Sequence, residues 1–534
     1  MWIRQLLRIG RPDLYMLISK RVHHTSIILS TPQVTNGSKD ASARVSGVMS
    51  DCGRQLRVVE DSFGKIELPA DCHYGAQTER SKRNFPICLD TDRMPLPVIY
   101  ALAMLKEVAA DINAKYKRID ELQADAIITA CRDIYLGKLN DEFPLSTWQT
   151  GSGTQTNMNV NEVISHKANE ILSARGHQQR VHPNDHVNCG QSTNDIFPTA
   201  MHVCVALETA WKVLPCLEKL TQLLLNKAVE FQNIIKIGRT HLQDAVPMTV
   251  GQELSAFTSQ LNQSIAFIKR QLPFVCELAI GGTAVGTGLN SFEGFDREMS
   301  VGITRLVKKF RGDQTGSLID LNFVPAKNKF AALSGHDGLL QLSSAFNATA
   351  TVLFKLANDF ALLSSGPSCG LGELLLPPNE PGSSIMPGKV NPTQCEALSM
   401  VAVQVMGNHF TVTLAASHGQ LQLNVYKPII IANMLHSCRL ISDAVRCFAE
   451  NCVSGLQVNS AQIGRYVRQS LMLVTALSPH IGYDRAASLA KHAQEHGLTL
   501  RDAAVQLQMM NPEEFDRLVQ PRVMAFPFGD SNIL

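Results

Sequence analysis

Between residues 195 and 231 the apolar residues Ile196, Ala200, Val203, Leu207, Ala210, Leu214, Leu217 and Leu224 recur at helical intervals, the pattern of a long helix burying one stripe. The preceding "QSTND" supplies capping side chains, and Pro198 falls in or near the first turn, where a missing N–H does little harm. Comparable patterns cover 250–272, 329–363 and 394–416. Long helices with short connections predict a helix bundle. Strand alternation is confined to one minor candidate at 57–68, and no internal repeat is visible, so the fold class is mainly α.

Polar, glycine-rich segments stand out against these helices: "GSGTQTNMNVNE" (151–162), "HPNDHVNCGQSTND" (182–195), "GRTHLQDA" (238–245), "GGTAVGTGLNS" (281–291) and "GSSIMPGKVNP" (382–392). Each is expected to precede or open a helix. Unpaired N–H groups at helix starts carry partial positive charge and favour carboxylates or phosphates. Five such segments in one helical protein suggest converging anion sites.

Composition narrows the ligand. The 534 residues are 45% hydrophobic and 6% aromatic with a formal charge of +2, so a large core is available and a general nucleic-acid binder is disfavoured. The 13 cysteines show no C-x-x-C pair and no zinc-ligand spacing with histidine, which points to reduced thiols and no metal. The most apolar long stretch, 340–363, is broken by Lys355 and Asp359 and reads as a buried helix, with no membrane span. Residues 1–50 differ in kind. Arg4, Arg8, Arg11, Lys20 and Arg21 stand against the single acid Asp13 in the first thirty, which fits a basic amphipathic mitochondrial presequence; a Ser/Gly/Thr/Ala-rich flexible segment follows. The expected location is the mitochondrial matrix, with a cytoplasmic pool left open.

Two phosphate motifs are excluded. "GSSIMPGK" has one residue too many for a P-loop, and Val390 follows its lysine where Ser or Thr is needed. "GGTAVGTG" lacks dinucleotide spacing and a βαβ context.

"SGTQTNMNVNEV", "HPND", "GRTHLQDA", "GTAVGTGLN" and above all "GSSIMPGKVNPTQCEA" resemble the class II fumarases of the fumarase/aspartase/argininosuccinate lyase superfamily. The likeness runs from about Arg57 nearly to the C-terminus, including "YGAQTERS" and "LVTALSPHIGYDRAASLA". It implies a three-domain subunit: an N-terminal domain at 51–191, a central long-helix bundle at 192–458 and a small helical domain at 459–534. It further implies a homotetramer whose active sites draw on three chains, a small dicarboxylate substrate and no cofactor. The reaction would be reversible hydration of fumarate to (S)-malate through a dianionic aci-carboxylate.

By the same resemblance Ser383 is the proton-abstracting group, its oxyanion held by backbone N–H groups, and His241 acts through water on the hydroxyl, oriented by Glu396. Ser152, Gly153 and Thr154 resemble one carboxylate cradle; Ser192, Thr193 and Asn194 resemble a second; Thr240, Ser384, Lys389 and Asn391 complete the substrate contacts. His182, Pro183, Asn184 and Asp185 resemble a separate surface anion site, with a helix cap as the alternative. The chain departs from the family's usual text at His186, Cys189, Gly190, Thr193, Ser368 and Gln422, changes that could weaken activity while leaving the expected site residues intact. Two alternatives stay open: an amine lyase of the aspartase type, and a weakly active or inactive structural paralogue.

Overall fold

The computed structural model describes residues 55–311 and 319–529. The expected presequence, residues 1–50, lies outside them.

The chain opens with a hairpin of β1 (Leu56–Asp61) and β2 (Gly64–Pro69), paired antiparallel from Leu56 opposite Pro69 to Asp61 opposite Gly64. The single strand expected at 57–68 is therefore two strands. The Asp61 carboxylate accepts from the Phe63 N–H at 2.9 Å and tightens a turn that unbroken alternation on either side conceals. Helices α1 (Ala76–Asn84), α2 (Leu96–Lys115), α3 (Glu121–Tyr135) and α4 (Thr154–Ala174) follow, with α2 packed on α3 and α3 on α4.

The long rods come next. Helices α5 (Thr193–Glu208) and α6 (Leu214–Glu230) are joined by one wider turn, Thr209–Val213, into a 38-residue helical run about 57 Å long at 1.5 Å per residue. Ser192 caps it as expected: its hydroxyl accepts from the Asn194 N–H, and the Asp195 carboxylate returns to the Ser192 N–H. Pro198 sits one turn deeper than the sequence suggested, the helix starting at Thr193, so the Asn194 carbonyl lacks its usual helical donor.

Strands β3 (Ile235–Thr240) and β4 (Gln243–Thr249) form a hairpin leading into α7 (Val250–Val275), which Thr249 and Gln252 start with a capping box. Helix α8 (Phe295–Arg311) packs on α2. The pattern at 329–363 divides at Gly335 and His336 into α9 (Lys329–Ser334) and α10 (Asp337–Leu363); α11 (Thr393–Ser417) and α12 (Lys427–Phe448) complete the rods. Helix α10 lies between α7 and α11, α11 packs on α12, and α12 returns to α5 and α6, closing a bundle. Small helices α13 (Ser460–Gln469), α14 (Ser478–Ile481), α15 (Tyr483–His496), α16 (Leu500–Gln506), α17 (Pro512–Leu518) and α18 (Pro521–Ala525) end the described chain.

Two helical runs, 193–230 and 393–417, are long and apolar enough to cross a membrane. The first is mostly buried; the second sets Cys395, Leu398, Ala402, Val405 and Val412 into the core while Met400, Val403, Phe410 and Leu414 stay exposed. A helix packed along one side within a bundle is a core element with a free apolar face. The buried residues form one large cluster reaching from Tyr74 to Ile463 and a smaller one that joins Leu473–Val519 positions to Ile237.

Phe360 ties three rods together: fully buried on α10, its ring lies 6.1 Å from Phe257 of α7 and 5.7 Å from Phe448 of α12. Phe360→Ala is expected to cost about 3–5 kcal/mol per chain and Phe360→Leu less than about 1.5. Denaturant unfolding at fixed chain concentration measures both.

Candidate active site

The 382–392 loop is closed on itself. The Gly382 N–H donates to the Lys389 carbonyl at 2.8 Å, the Asn391 side-chain amide donates to the Gly382 carbonyl at 2.7 Å, and the Lys389 N–H reaches the Met386 carbonyl at 3.3 Å. Inside that ring the Ser383 hydroxyl oxygen accepts two backbone N–H groups, from Ile385 at 3.2 Å and Met386 at 3.1 Å. Such a nest favours negative charge on the oxygen. Asn391 spends its amide on the loop and so shapes it, leaving its carbonyl oxygen for other partners. Ser384 and Lys389 are exposed, and Glu396 is exposed in the first turn of α11, directly after the loop.

His241 occupies the tip of the β3–β4 hairpin. His241 and Leu242 have φ of 57° and 61°, both left-handed, as a two-residue hairpin turn of this hand requires. Segment 238–245 thus opens no helix itself and instead precedes α7, whose start Thr249 caps. The hairpin's base is clamped by Glu373, buried to 1% exposure, which pairs with Lys236 at 2.8 Å and Arg239 at 2.7 Å; Lys236 also meets Glu253 at 2.6 Å. Thr240 and His241 are exposed beyond this clamp.

The two hydroxyl cradles meet in one chain. Ser152 and Thr154 hydroxyls lie 2.8 Å apart around Gly153, which has φ +83° with Phe197 where a side chain would go. The Asn157 amide, one turn into α4, donates to the Thr193 hydroxyl at 3.0 Å. Asn194 donates to the Ala284 carbonyl at 2.8 Å, and Asp195 accepts from the Gly281 and Thr283 N–H groups at 3.0 and 2.9 Å. Segments 151–162, 182–195 and 281–291 therefore form one polar assembly.

Residues that the sequence reading missed lie beneath it. Lys106 is fully buried and donates to the Asn188 side-chain oxygen at 2.8 Å, an oxygen also approached by the amides of Asn157 and Asn161. Lys427 is fully buried, and its ammonium has no hydrogen-bond partner among the described residues. Its backbone N–H donates to the Gly151 carbonyl at 3.0 Å, and Val425 lies so close that a side chain on Gly151 would overlap it. Burial pulls both lysines down to about 7, opposed by the Asp195 charge, and pushes Asp195 up to about 6 against its N–H donors. Burial, with Lys427 nearby, holds His336 neutral, well below the usual imidazole range. Lysines scattered at 106 and 427 carry no local motif, so only the fold reveals them.

The 182–185 segment is an internally satisfied turn. His182 accepts from the Asp185 N–H at 3.2 Å and faces its carboxylate at the same distance, while His186 accepts from the His182 N–H at 2.7 Å. Among the described residues no hydrogen bond or ion pair joins the His241 hairpin tip or the Ser383 loop to the 151–195 cradles.

A lyase family model matches residues 64–407, and one for the fumarase C C-terminus matches 473–525. The chain is 59% identical over 481 residues to the fumarate hydratase of Schistosoma mansoni, spanning 89% of this chain and 99% of that protein. It belongs to the class II fumarase family. This fumarase-family chain is also 54% identical over 473 residues to the human mitochondrial fumarate hydratase, covering 88% of this chain and 90% of that one. The crystal structure of class II fumarase from Schistosoma mansoni superposes with a TM-score of 0.86 at 58% identity, over 89% of this chain and all of that chain. The mainly α bundle expected from the helical patterns is the fumarase fold.

Lys427 gives a pH signature. The unfolded chain keeps this proton up to about 10.5, whereas the folded chain releases it at about 7. Below pH 7 both states are protonated and the full burial cost is felt; between 7 and 10.5 the unfolded state binds the extra proton, so stability rises with pH. Lys427→Met is expected to stabilise the ligand-free protein at pH 6 by on the order of 1–4 kcal/mol and to flatten that rise. Denaturant titrations at pH 6 and 9 measure the difference.

Proposed function

We propose that this chain is a fumarate hydratase, interconverting fumarate and (S)-malate as a homotetramer in the mitochondrial matrix. The observation that carries the reading is the Ser383 oxygen held by two backbone N–H groups inside a closed loop that also presents Lys389. Removing a proton beside a carboxylate needs a strong base and leaves a dianion, so the site must favour negative charge on both the base and the substrate.

In the malate-to-fumarate direction Ser383, as its oxyanion, takes the proton from the carbon next to the carboxylate. Lys389 faces the aci-carboxylate. Ser152, Thr154, Ser192, Thr193 and Asn194 hold the carboxylates from the helix heads, with Thr240 and Ser384 as further contacts. His241, oriented by Glu396, protonates the leaving hydroxyl through a water; addition of water runs the same steps backwards. The chain's own groups suffice for this chemistry, and no cofactor is invoked. The domain division at 192 and 459 belongs to the same reading and is supported by the separate small hydrophobic cluster of the C-terminal helices.

Sharing of each site among chains is supported by the lack, among the described residues, of any hydrogen bond or ion pair between the cradles and the His241 tip or Ser383 loop, and by the exposed Met400, Val403, Phe410 and Leu414 on α11. The matrix location is supported by the basic N-terminal segment and by mitochondrial names among the relatives. His182–Asp185 is read as a surface turn able to take an anion only if Asp185 is displaced from His182.

Purified protein is expected to remove fumarate absorbance and form malate, and to release no ammonia from aspartate; the opposite outcome assigns an amine lyase. Ser383→Ala and His241→Asn are each expected to lower kcat at least about 100-fold with helicity and assembly intact. Co-refolding the two inactive variants is expected to restore up to about a quarter of full activity, because random tetramers then contain sites with both groups intact. No recovery overturns the shared site.

A further inference from the structure

We propose that His73, His166 and Glu170 form a divalent metal site of the zinc class, remote from the reaction, that fastens the segment before α1 to α4. The Nε2 of His73 lies 3.5 Å from Glu170 Oε1, and the Nδ1 of His166 lies 3.6 Å from the same oxygen. All three ligand atoms fall within 4.8 Å of one another. Contacts of 3.5–3.6 Å are too long for good hydrogen bonds. They match the edge of a tetrahedron whose centre lies about 2.0–2.2 Å from nitrogen and carboxylate ligands, roughly 3.3–3.6 Å.

The hydrogen bonds around the two rings also suit a metal centre. Glu142 accepts from the His73 backbone N–H at 2.7 Å, and its other oxygen lies 3.0 Å from His73 Nδ1. That carboxylate fixes Nδ1 as the donor, with Nε2 turned toward Glu170 Oε1. This is the carboxylate–histidine arrangement that orients metal-bound imidazoles. His166 Nδ1 is buried and has no hydrogen-bond partner among the described residues. Lys167 binds the other Glu170 oxygen at 2.9 Å and leaves Oε1 free for the centre. The remaining charge nearby, Arg57, is held by the Cys72 and Tyr74 carbonyls at 3.0 and 2.7 Å. Arg57 and Lys167 balance Glu142 and Glu170, so affinity would come from the ligand bonds themselves.

Placement supports a fastening role. Glu162, His166 and Glu170 recur every four residues on one face of α4. Glu162 already accepts from the N–H groups of Gly75, Gln77 and Thr78 at 2.9, 2.9 and 3.1 Å and from the Thr78 hydroxyl at 2.6 Å. A metal one and two turns on would extend the same grip to His73. The i, i+4 spacing of His166 and Glu170 was visible in the sequence; His73 lies far upstream and only folding adds it.

The test is calorimetric titration of chelator-treated full-length protein with zinc chloride. One zinc per chain with Kd below about 10 μM is expected. His166→Ala and the isosteric Glu170→Gln should each weaken binding at least about tenfold, Glu142→Gln by a similar factor, and His480→Ala not at all. Zinc should raise the thermal midpoint of the parent and not that of Glu170→Gln. Absence of binding to the parent, or parent-like affinity in both His166→Ala and Glu170→Gln, overturns the proposal. Circular dichroism of each variant confirms folding, and Glu170→Gln keeps the test valid if His166→Ala misfolds.

Discussion

Asp195 stands at the head of the longest rod, fully buried, and its two oxygens take three backbone N–H groups: Ser192 on one, Gly281 and Thr283 on the other. Those bonds do two jobs at once. They close the capping box that starts α5, and they draw the 281–291 loop onto the helix head so that Asn194 can reach Ala284. A buried carboxylate is costly unless its lone pairs are filled and a cation is near. Here both conditions hold, since burial raises its proton affinity while its N–H donors and Lys106 lower it. Asp195 thus ties the floor of the Ser192–Asn194 cradle to the 281–291 loop.

The lysines beneath that floor outnumber the carboxylate that balances them. Lys106 has only neutral partners in Asn188 and its neighbours, and Lys427 has none among the described residues. An arrangement optimised for stability alone would replace both with apolar side chains. It makes sense if the site exists to receive two negative charges: near a protein surface a unit pair at 4 Å is worth roughly 4 kcal/mol, so cationic residues that destabilise the empty pocket favour the filled one. On the proposed function, these electrostatics serve the ligand at the expense of the fold.

This division explains what the sequence made legible. Caps and apolar stripes are local, and they located the rods at 193–230, 250–275 and 393–417 to within a turn, with Ser192 and Asp195 acting as read, while α12 went unread and the run at 329–363 is two helices. The loop chemistry was local too: Ser383 lies within three residues of both N–H groups that hold its oxygen. What stayed hidden was produced by distance or by a missing periodic signal. The β3–β4 hairpin reads as polar loop because Arg239 and Lys236 point to a buried Glu373 more than 130 residues away. Lys106, Lys427 and the His73–His166–Glu170 group are likewise joined only by tertiary contacts. The engagement of the Asn391 amide in the loop's own closure was equally unannounced by the motif.

Exposure at the tips links assembly to chemistry. Leu242, beside His241, is 72% exposed in one chain, and Ile385, two residues from Ser383, is 84% exposed. Each is a large apolar residue at the end of a tightly hydrogen-bonded turn, left largely uncovered by the described residues of its own chain. Burying such a side chain yields roughly 1.5–3 kcal/mol. In the proposed tetramer that gain is available only when neighbouring chains close over the tips, which also removes water from the Ser383 oxygen and strengthens the two N–H contacts on it. In that proposed tetramer the contact that assembles the subunits would also activate the base, and a lone chain would hold the parts of the reaction without the dry, shared space in which they act.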